Sequence, residues 1–165
     1  MKQYKFKKKF YNVRVVYTGY FVVLIGLISI YQFMNTLNPL WAFVLLVCIY
    51  QFFNTFISLS NPEEVDLDDK FIAFKGFNSQ HKYFFNEIKD FRVKEFRGSK
   101  KIYLRINKDE FSLTKGRYWI DCLYFTDGDE LFEKLIKKED EIHPDTIKAY
   151  AHRGSKPVNN SKKGD

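Results

Sequence analysis

VVYTGYFVVLIGLISIYQFMNTLNPLWAFVLLVCIYQFFNTFISLSNP, residues 15–62, contains no Lys, Arg, Asp, Glu or His. Turn-forming Asn and Pro residues at 35–39 divide it into two apolar halves. A helix of 20 residues is about 30 Å long, which matches the hydrocarbon core of a bilayer. We predict transmembrane helices at 15–34 and 40–60 joined by an extracytoplasmic turn. A pair of buried helices in a soluble core is disfavoured, because neither half has a polar face.

The N-terminal segment, residues 1–14, is basic and contains no acidic residue. Its charges are Lys2, Lys5, Lys7, Lys8, Lys9 and Arg14. Short basic flanks stay in the cytoplasm, so these residues orient a multi-pass cell-membrane protein with both termini cytoplasmic. A secretory signal peptide is the alternative, but the apolar run is long for one and lacks a small-residue cleavage motif.

Charge is distributed very unevenly along the chain. All 20 acidic residues follow Pro62, and the net charge of +7 comes almost entirely from the N-terminal segment. Such a distribution indicates membrane topology rather than the basic surface of a nucleic-acid-binding domain. We therefore predict the lipid bilayer as a partner and no nucleic acid.

The apolar block also contains small and amide residues. Small residues let helices approach closely, and amides form hydrogen bonds between helices. We predict helix packing, within the hairpin or between copies, by Gly19, Gly26, Ser29, Gln51 and Asn54. The lack of ionisable side chains in the block disfavours an ion or proton pathway.

Residues 61–145 alternate apolar and charged side chains, as antiparallel strands do. Strands are predicted in 65–76 (two, around Asp68–Lys70), 82–96 (one long strand), 101–106, 111–114 and 118–125. A helix follows, with Leu131, Phe132, Leu135 and Ile136 on its apolar side, Asp127 as N-cap and Pro144 beyond its end. The fold class is α+β: a two-helix transmembrane hairpin, then a small antiparallel sheet or barrel closed by a C-terminal helix. Residues 146–165 are expected to form a flexible basic tail.

The run from EEVDLDDKFIAFKGF through FFNEIKDFRV, KKIYLRIN, EFSLTKG and DELFEKLIKK resembles bacterial pleckstrin-homology-like (PH-like) domains, which commonly follow one or two membrane helices. The resemblance covers roughly 63–138. It consists of a meander, an aromatic-x-x-x-Ile turn from Phe84 to Ile88, and a closing helix. It implies no catalytic signature, and no ligand-binding residue can be carried over.

No catalytic constellation is apparent in the sequence. His81, His143 and His152 are scattered over a predicted loop, a helix end and the tail, and no hydrolase, zinc-protease or phosphate-loop motif occurs. The clusters DLDD (66–69) and DGDE (127–130) fit a turn and a helix start better than a metal site. Cys48 and Cys122 lie in different compartments and cannot pair. We predict a non-enzymatic protein without cofactor or metal.

Two parts of the domain differ in charge. Residues 70–117 have 13 basic and five acidic side chains, whereas residues 118–145 have three basic and nine acidic side chains. We hypothesise a basic sheet facing the membrane, formed by Lys89, Arg92, Lys94, Arg97, Lys100 and Lys101. The leading functional prediction is a PH-like module for protein–protein or self-association, through a sheet edge or the helix face. The alternatives are an anionic-lipid headgroup sensor, or a small immunity or transport-accessory protein acting through its hairpin.

Overall fold

The computed structural model describes residues 1–108 and 115–154. Two helices, Lys8–Thr36 and Pro39–Ile57, are long and apolar enough to cross a membrane. Leu37 adopts a left-handed conformation (φ 50°) and Asn38 caps the second helix by accepting from the Leu40 amide at 3.0 Å. Only 6% of the apolar window of the second helix is buried, unlike the core helix of a soluble protein. The two predicted spans are thus present as helices, and their length and composition suggest membrane association.

The two helices pack against each other as a hairpin, and both are π-helical at the ends that meet the β domain. The first helix is π-helical over Asn12–Tyr17, and the second over Phe53–Ile57. The first helix begins within the basic flank, earlier than the predicted residue 15. We define residues 14–18 and 55–60, which lie at these ends, as the base of the hairpin.

Seven strands form two antiparallel sheets. The first sheet has the order β1 (Lys2–Lys5), β2 (Glu64–Leu67), β3 (Phe71–Gly76) and β4 (Ser79–Phe84). The second has the order β5 (Asp90–Phe96), β6 (Lys101–Asn107) and β7 (Arg117–Asp121). The α+β class is therefore confirmed, but the described strands do not close into a barrel.

The N-terminal segment forms part of the β domain, whereas the sequence predicts only a basic flank there. Strand β1 pairs with β2 from Lys2↔Leu67 to Lys5↔Glu64. These residues form a strand because their side chains alternate: Tyr4 is 0% exposed and faces the core, while its neighbours on either side are polar.

Most strand predictions are confirmed with adjusted limits. The two strands in 65–76 and the strand at 101–106 correspond to β2, β3 and β6. The single long strand at 82–96 is wrong, because a 3₁₀ turn at Phe85–Glu87 separates β4 from β5. The strand at 118–125 ends at Asp121, where another 3₁₀ turn begins. The predicted strand at 111–114 lies outside the described residues.

An amphipathic helix, Gly128–Ile142, covers the core between the sheets. Leu131, Phe132, Leu135 and Ile136 are all buried, as the periodicity predicts. Asp127 does occupy the N-cap position, but its side chain makes no capping hydrogen bond. Instead its carboxylate lies 3.0 Å from Lys2 Nζ, so the expected capping role is wrong.

The expected flexible tail starts with an ordered helix, Ile147–His152. Ala149 is fully buried, and His152 Nδ1 lies 2.8 Å from an Asp140 carboxylate oxygen. These contacts stabilise a segment whose composition alone predicts disorder. The rest of the predicted tail, 155–165, lies outside the described residues.

Candidate functional site

The outer surface of the β5–β6–β7 sheet combines basic and aromatic side chains. Inward residues such as Phe91, Leu104 and Ile120 are buried, so the alternate residues project outward. The outward set includes Asp90, Asn107 and Asp121. We call its basic and aromatic members the basic–aromatic face; they are Arg92, Lys94, Phe96, Lys101, Tyr103, Arg105, Arg117 and Trp119.

Three arginines form a row across this face. Arg92 is opposite Arg105, and Arg105 is opposite Arg117. Like charges directly opposite each other destabilise a sheet. Arg92 is bound to Asp90 at 2.8 Å, and this hydrogen bond raises the pKa of Arg92. Within residues 1–108 and 115–154, neither Arg105 nor Arg117 pairs with a carboxylate.

An aromatic row lies next to the arginines. Lys94 is opposite Tyr103 and Tyr103 is opposite Trp119, with the two rings 4.8 Å apart. Phe96 also stacks on Trp119, with the ring centroids 6.0 Å apart. Trp119 is 45% exposed although it is the largest side chain on the face. Exposed tryptophan and arginine side chains together are typical of protein recognition surfaces.

One edge of the face is attached to the base of the hairpin. The Trp119 amide donates to the Ser60 carbonyl at 2.6 Å. Arg14 donates to Asp121 at 3.0 Å and to the Tyr124 hydroxyl at 2.8 Å, and its guanidinium lies 4.2 Å from the Tyr124 ring centroid. The sheet is thereby fixed beside the point where the first helix leaves the domain.

The structure places three of the six residues of the hypothesised basic sheet on one face. Arg92, Lys94 and Lys101 lie on the basic–aromatic face. Lys89 precedes β5, while Arg97 bonds to Glu95 at 3.0 Å and Lys100 to Asp129 at 2.5 Å. Sequence reasoning missed Arg105, Arg117 and Trp119 as site residues. Their alternation with buried residues is visible in the sequence, but their alignment depends on strand register.

The edge of β5 is closed to an incoming strand. The Val93 amide donates to Glu139 at 2.9 Å and the Phe91 amide donates to His143 Nε2 at 3.1 Å. Lys148 Nζ donates to the Val93 carbonyl at 2.5 Å. Glu139, His143 and Lys148, which lie in or next to the last two helices, thus occupy the groups that strand addition would need.

The predicted helix-packing residues separate into two groups. Gly19, Gly26 and Ser29 are buried inside the hairpin, and a Cβ on Gly19 would lie 2.7 Å from the Phe56 ring. By contrast, Gln51 and Asn54 are not buried; the Gln51 amide lies 3.5 Å from the Thr55 hydroxyl. The small residues therefore serve contact between the two helices of one chain.

The remaining titratable candidates have structural contacts. His81 lies in β4 rather than in a loop; its Nδ1 is 2.9 Å from the Tyr118 hydroxyl, and burial lowers the pKa of His81. Asp68 binds the N-terminal amine at 2.7 Å, and Asp66 lies 2.6 Å from Lys75 Nζ. Both cysteines are free and buried, and burial raises the pKa of Cys122 to about 12. Among the described residues, no three His, Cys, Asp or Glu side chains are grouped as metal ligands would be.

No protein-family model matches the chain, and neither the curated proteins nor the solved structures include a significant match to it.

Proposed function

We propose that this chain is a non-enzymatic integral membrane protein that presents the basic–aromatic face to an acidic surface of a partner protein at the cytoplasmic side. The observation that supports this proposal best is the arginine row aligned beside exposed tyrosine and tryptophan. Two arginines without carboxylate partners among the described residues provide bidentate donors, and the aromatic row provides apolar contact area.

The membrane topology in this proposal is supported by strand pairing. Strand β1 precedes the first helix and β2 follows the second, yet the two strands are hydrogen-bonded neighbours. If both helices cross the bilayer, both flanks must lie on one side of it. The six basic residues before the first span favour the cytoplasmic side.

A protein partner fits the face better than a membrane surface does. The face places arginines beside exposed tyrosine and tryptophan, and these are the side chains most enriched at protein interfaces. An anionic-lipid sensor is therefore the second candidate, and self-association is a special case in which a second copy provides the acidic surface. The PH-like resemblance stays a prediction and identifies no ligand.

Charge reversal at Arg105→Glu and Arg117→Glu in the full-length protein tests the proposal. Cross-linking in native membranes, followed by quantification of co-purified proteins, should show at least a tenfold loss of the partner, because charge-assisted hydrogen bonds contribute about 1.5 kcal/mol or more each. Lys70→Glu with Lys137→Glu is the matched control, since both side chains are exposed and lie off the face.

Several outcomes would contradict a separate protein partner. Equal recovery from both variants excludes the face as the binding surface. Recovery of only this chain indicates self-association, and recovery that follows anionic-lipid content indicates the lipid sensor. Exchange of residues 20–50 for an unrelated hairpin, with the base retained, tests the immunity or transport-accessory alternative, in which the exchange abolishes function.

A further inference from the structure

A pocket of about 490 Å³ lies where the first helix leaves the β domain. It is separate from the arginine row and is formed by the helix on one side and by β6 and β7 on the other. The residues that matter for its chemistry are Val13, Arg14, Thr18, Lys101, Trp119 and Asp121.

The pocket carries a net positive charge. Arg14 Nη1 and Lys101 Nζ both approach the same oxygen of Asp121, at 3.0 Å and 3.6 Å. One carboxylate thus faces two cations. A guanidinium has five N–H donors and an ammonium has three. Arg14 uses two of its groups on Asp121 and Tyr124, and Lys101 makes no side-chain hydrogen bond with any described residue. Donors are therefore left for an anion.

The position of Arg14 in the sequence places this pocket in the headgroup layer. Arg14 is the last charged residue before the uncharged block, so a bilayer that contains the block brings its headgroups to the guanidinium. Val13 is 55% exposed beside it, and Trp119 is 45% exposed on the opposite wall. Apolar walls next to two cations suit a molecule with a phosphate and a hydrocarbon part.

We propose that one anionic phospholipid binds in this pocket through its phosphate. Arg14 and Lys101 donate to the phosphate oxygens, and Val13 and Trp119 contact the glycerol and the first methylene groups. The excess of one positive charge selects a headgroup with net charge −1 over a zwitterionic one. This inference depends on the proposed membrane crossing; its site shares Lys101 and Trp119 with the basic–aromatic face but does not include the arginine row.

Native mass spectrometry of the full-length protein from nanodiscs with equal phosphatidylglycerol and phosphatidylcholine tests the site. One phosphatidylglycerol should stay bound in preference to phosphatidylcholine. Lys101→Ala should weaken that preference roughly fivefold, because one cation at the membrane surface contributes about that factor. Lys94→Ala is the matched control: it removes an exposed lysine from the same face but outside the pocket.

Thermal unfolding of each variant checks that the domain stays folded, and Lys101→Gln replaces Lys101→Ala if it does not. Equal losses in the Lys101 and Lys94 variants would show diffuse surface attraction and overturn the site. Equal retention of both lipids, or release of the lipid by millimolar inorganic phosphate, would also overturn it. The Arg105→Glu, Arg117→Glu variant should retain the lipid, so failure of the partner proposal is distinguishable from failure of this one.

Discussion

Replacing Tyr4 with alanine tests whether the N-terminal strand is an essential part of the β domain. Tyr4 is 0% exposed, and its hydroxyl donates to Glu130 at 3.2 Å. The change leaves the charge of the N-terminal segment unaltered. Any effect on folding therefore reports packing rather than membrane orientation.

The expected cost is set by the size of the buried ring. An aromatic side chain buries about 150–250 Å², and aromatic-to-alanine changes in cores destabilise by about 3–5 kcal/mol. In a chain of 165 residues, each kcal/mol lowers the melting temperature by about 2–4 °C. We expect a decrease of about 10 °C. Tyr4→Phe, which keeps the ring and loses one hydrogen bond, should cost only about 1 kcal/mol.

A thiol-reactive dye in mild detergent can follow this unfolding. In a Cys48→Ala background, Cys122 is the only thiol; it is 1% exposed, so the dye reacts when the domain opens. Lys5→Ala is the control in the same strand, since it removes only an exposed ion pair at 3.1 Å from Glu64. If Tyr4→Ala melts within 3 °C of the Lys5→Ala control, β1 does not stabilise the domain and the reasoning fails.

Two further predictions concern a glycine and a histidine. Gly128→Ala should destabilise the domain by about 1–3 kcal/mol in chemical denaturation, because its Cβ would lie 1.8 Å from the Cys122 carbonyl oxygen. Gly98→Ala is the control and should be nearly neutral, because its Cβ would have no atom within 4 Å. Similar losses of stability in the two variants would contradict the packing argument. Burial, and next the charge of Lys115, lower the pKa of His81, so the unfolded state binds the proton more readily. Stability should therefore fall as pH drops below about 6.5, by up to about 1.4 kcal/mol per pH unit until the folded-state pKa is reached. His81→Gln should flatten that slope, and an unchanged slope would exclude His81 as its source.

Features that depend on local pattern could be predicted from the sequence. The two apolar helices follow from length and lack of charge, and the buried side of the amphipathic helix follows from the spacing of Leu131, Phe132, Leu135 and Ile136. Strands β2, β3 and β6 follow from alternation. In each case the signal lies within one continuous segment.

Features that depend on distant pairing could not be predicted. Strand β1 has four residues, and its partner lies beyond both apolar helices, so nothing within the N-terminal segment indicates that Tyr4 packs in the core. The arginine row requires the register of three strands. The short helix containing Ala149 is stabilised by contacts that composition does not reveal.

The pairing of β1 with β2 has a consequence for how the protein is made. The ribosome produces β1 first, and its neighbour emerges only after both apolar helices have been synthesised. If both helices cross a bilayer, the sheet can be completed only once they have been inserted and the chain has returned to the side where it began. Domain maturation would then report correct insertion, and a fragment beginning at residue 61 would expose the edge of β2 that β1 covers.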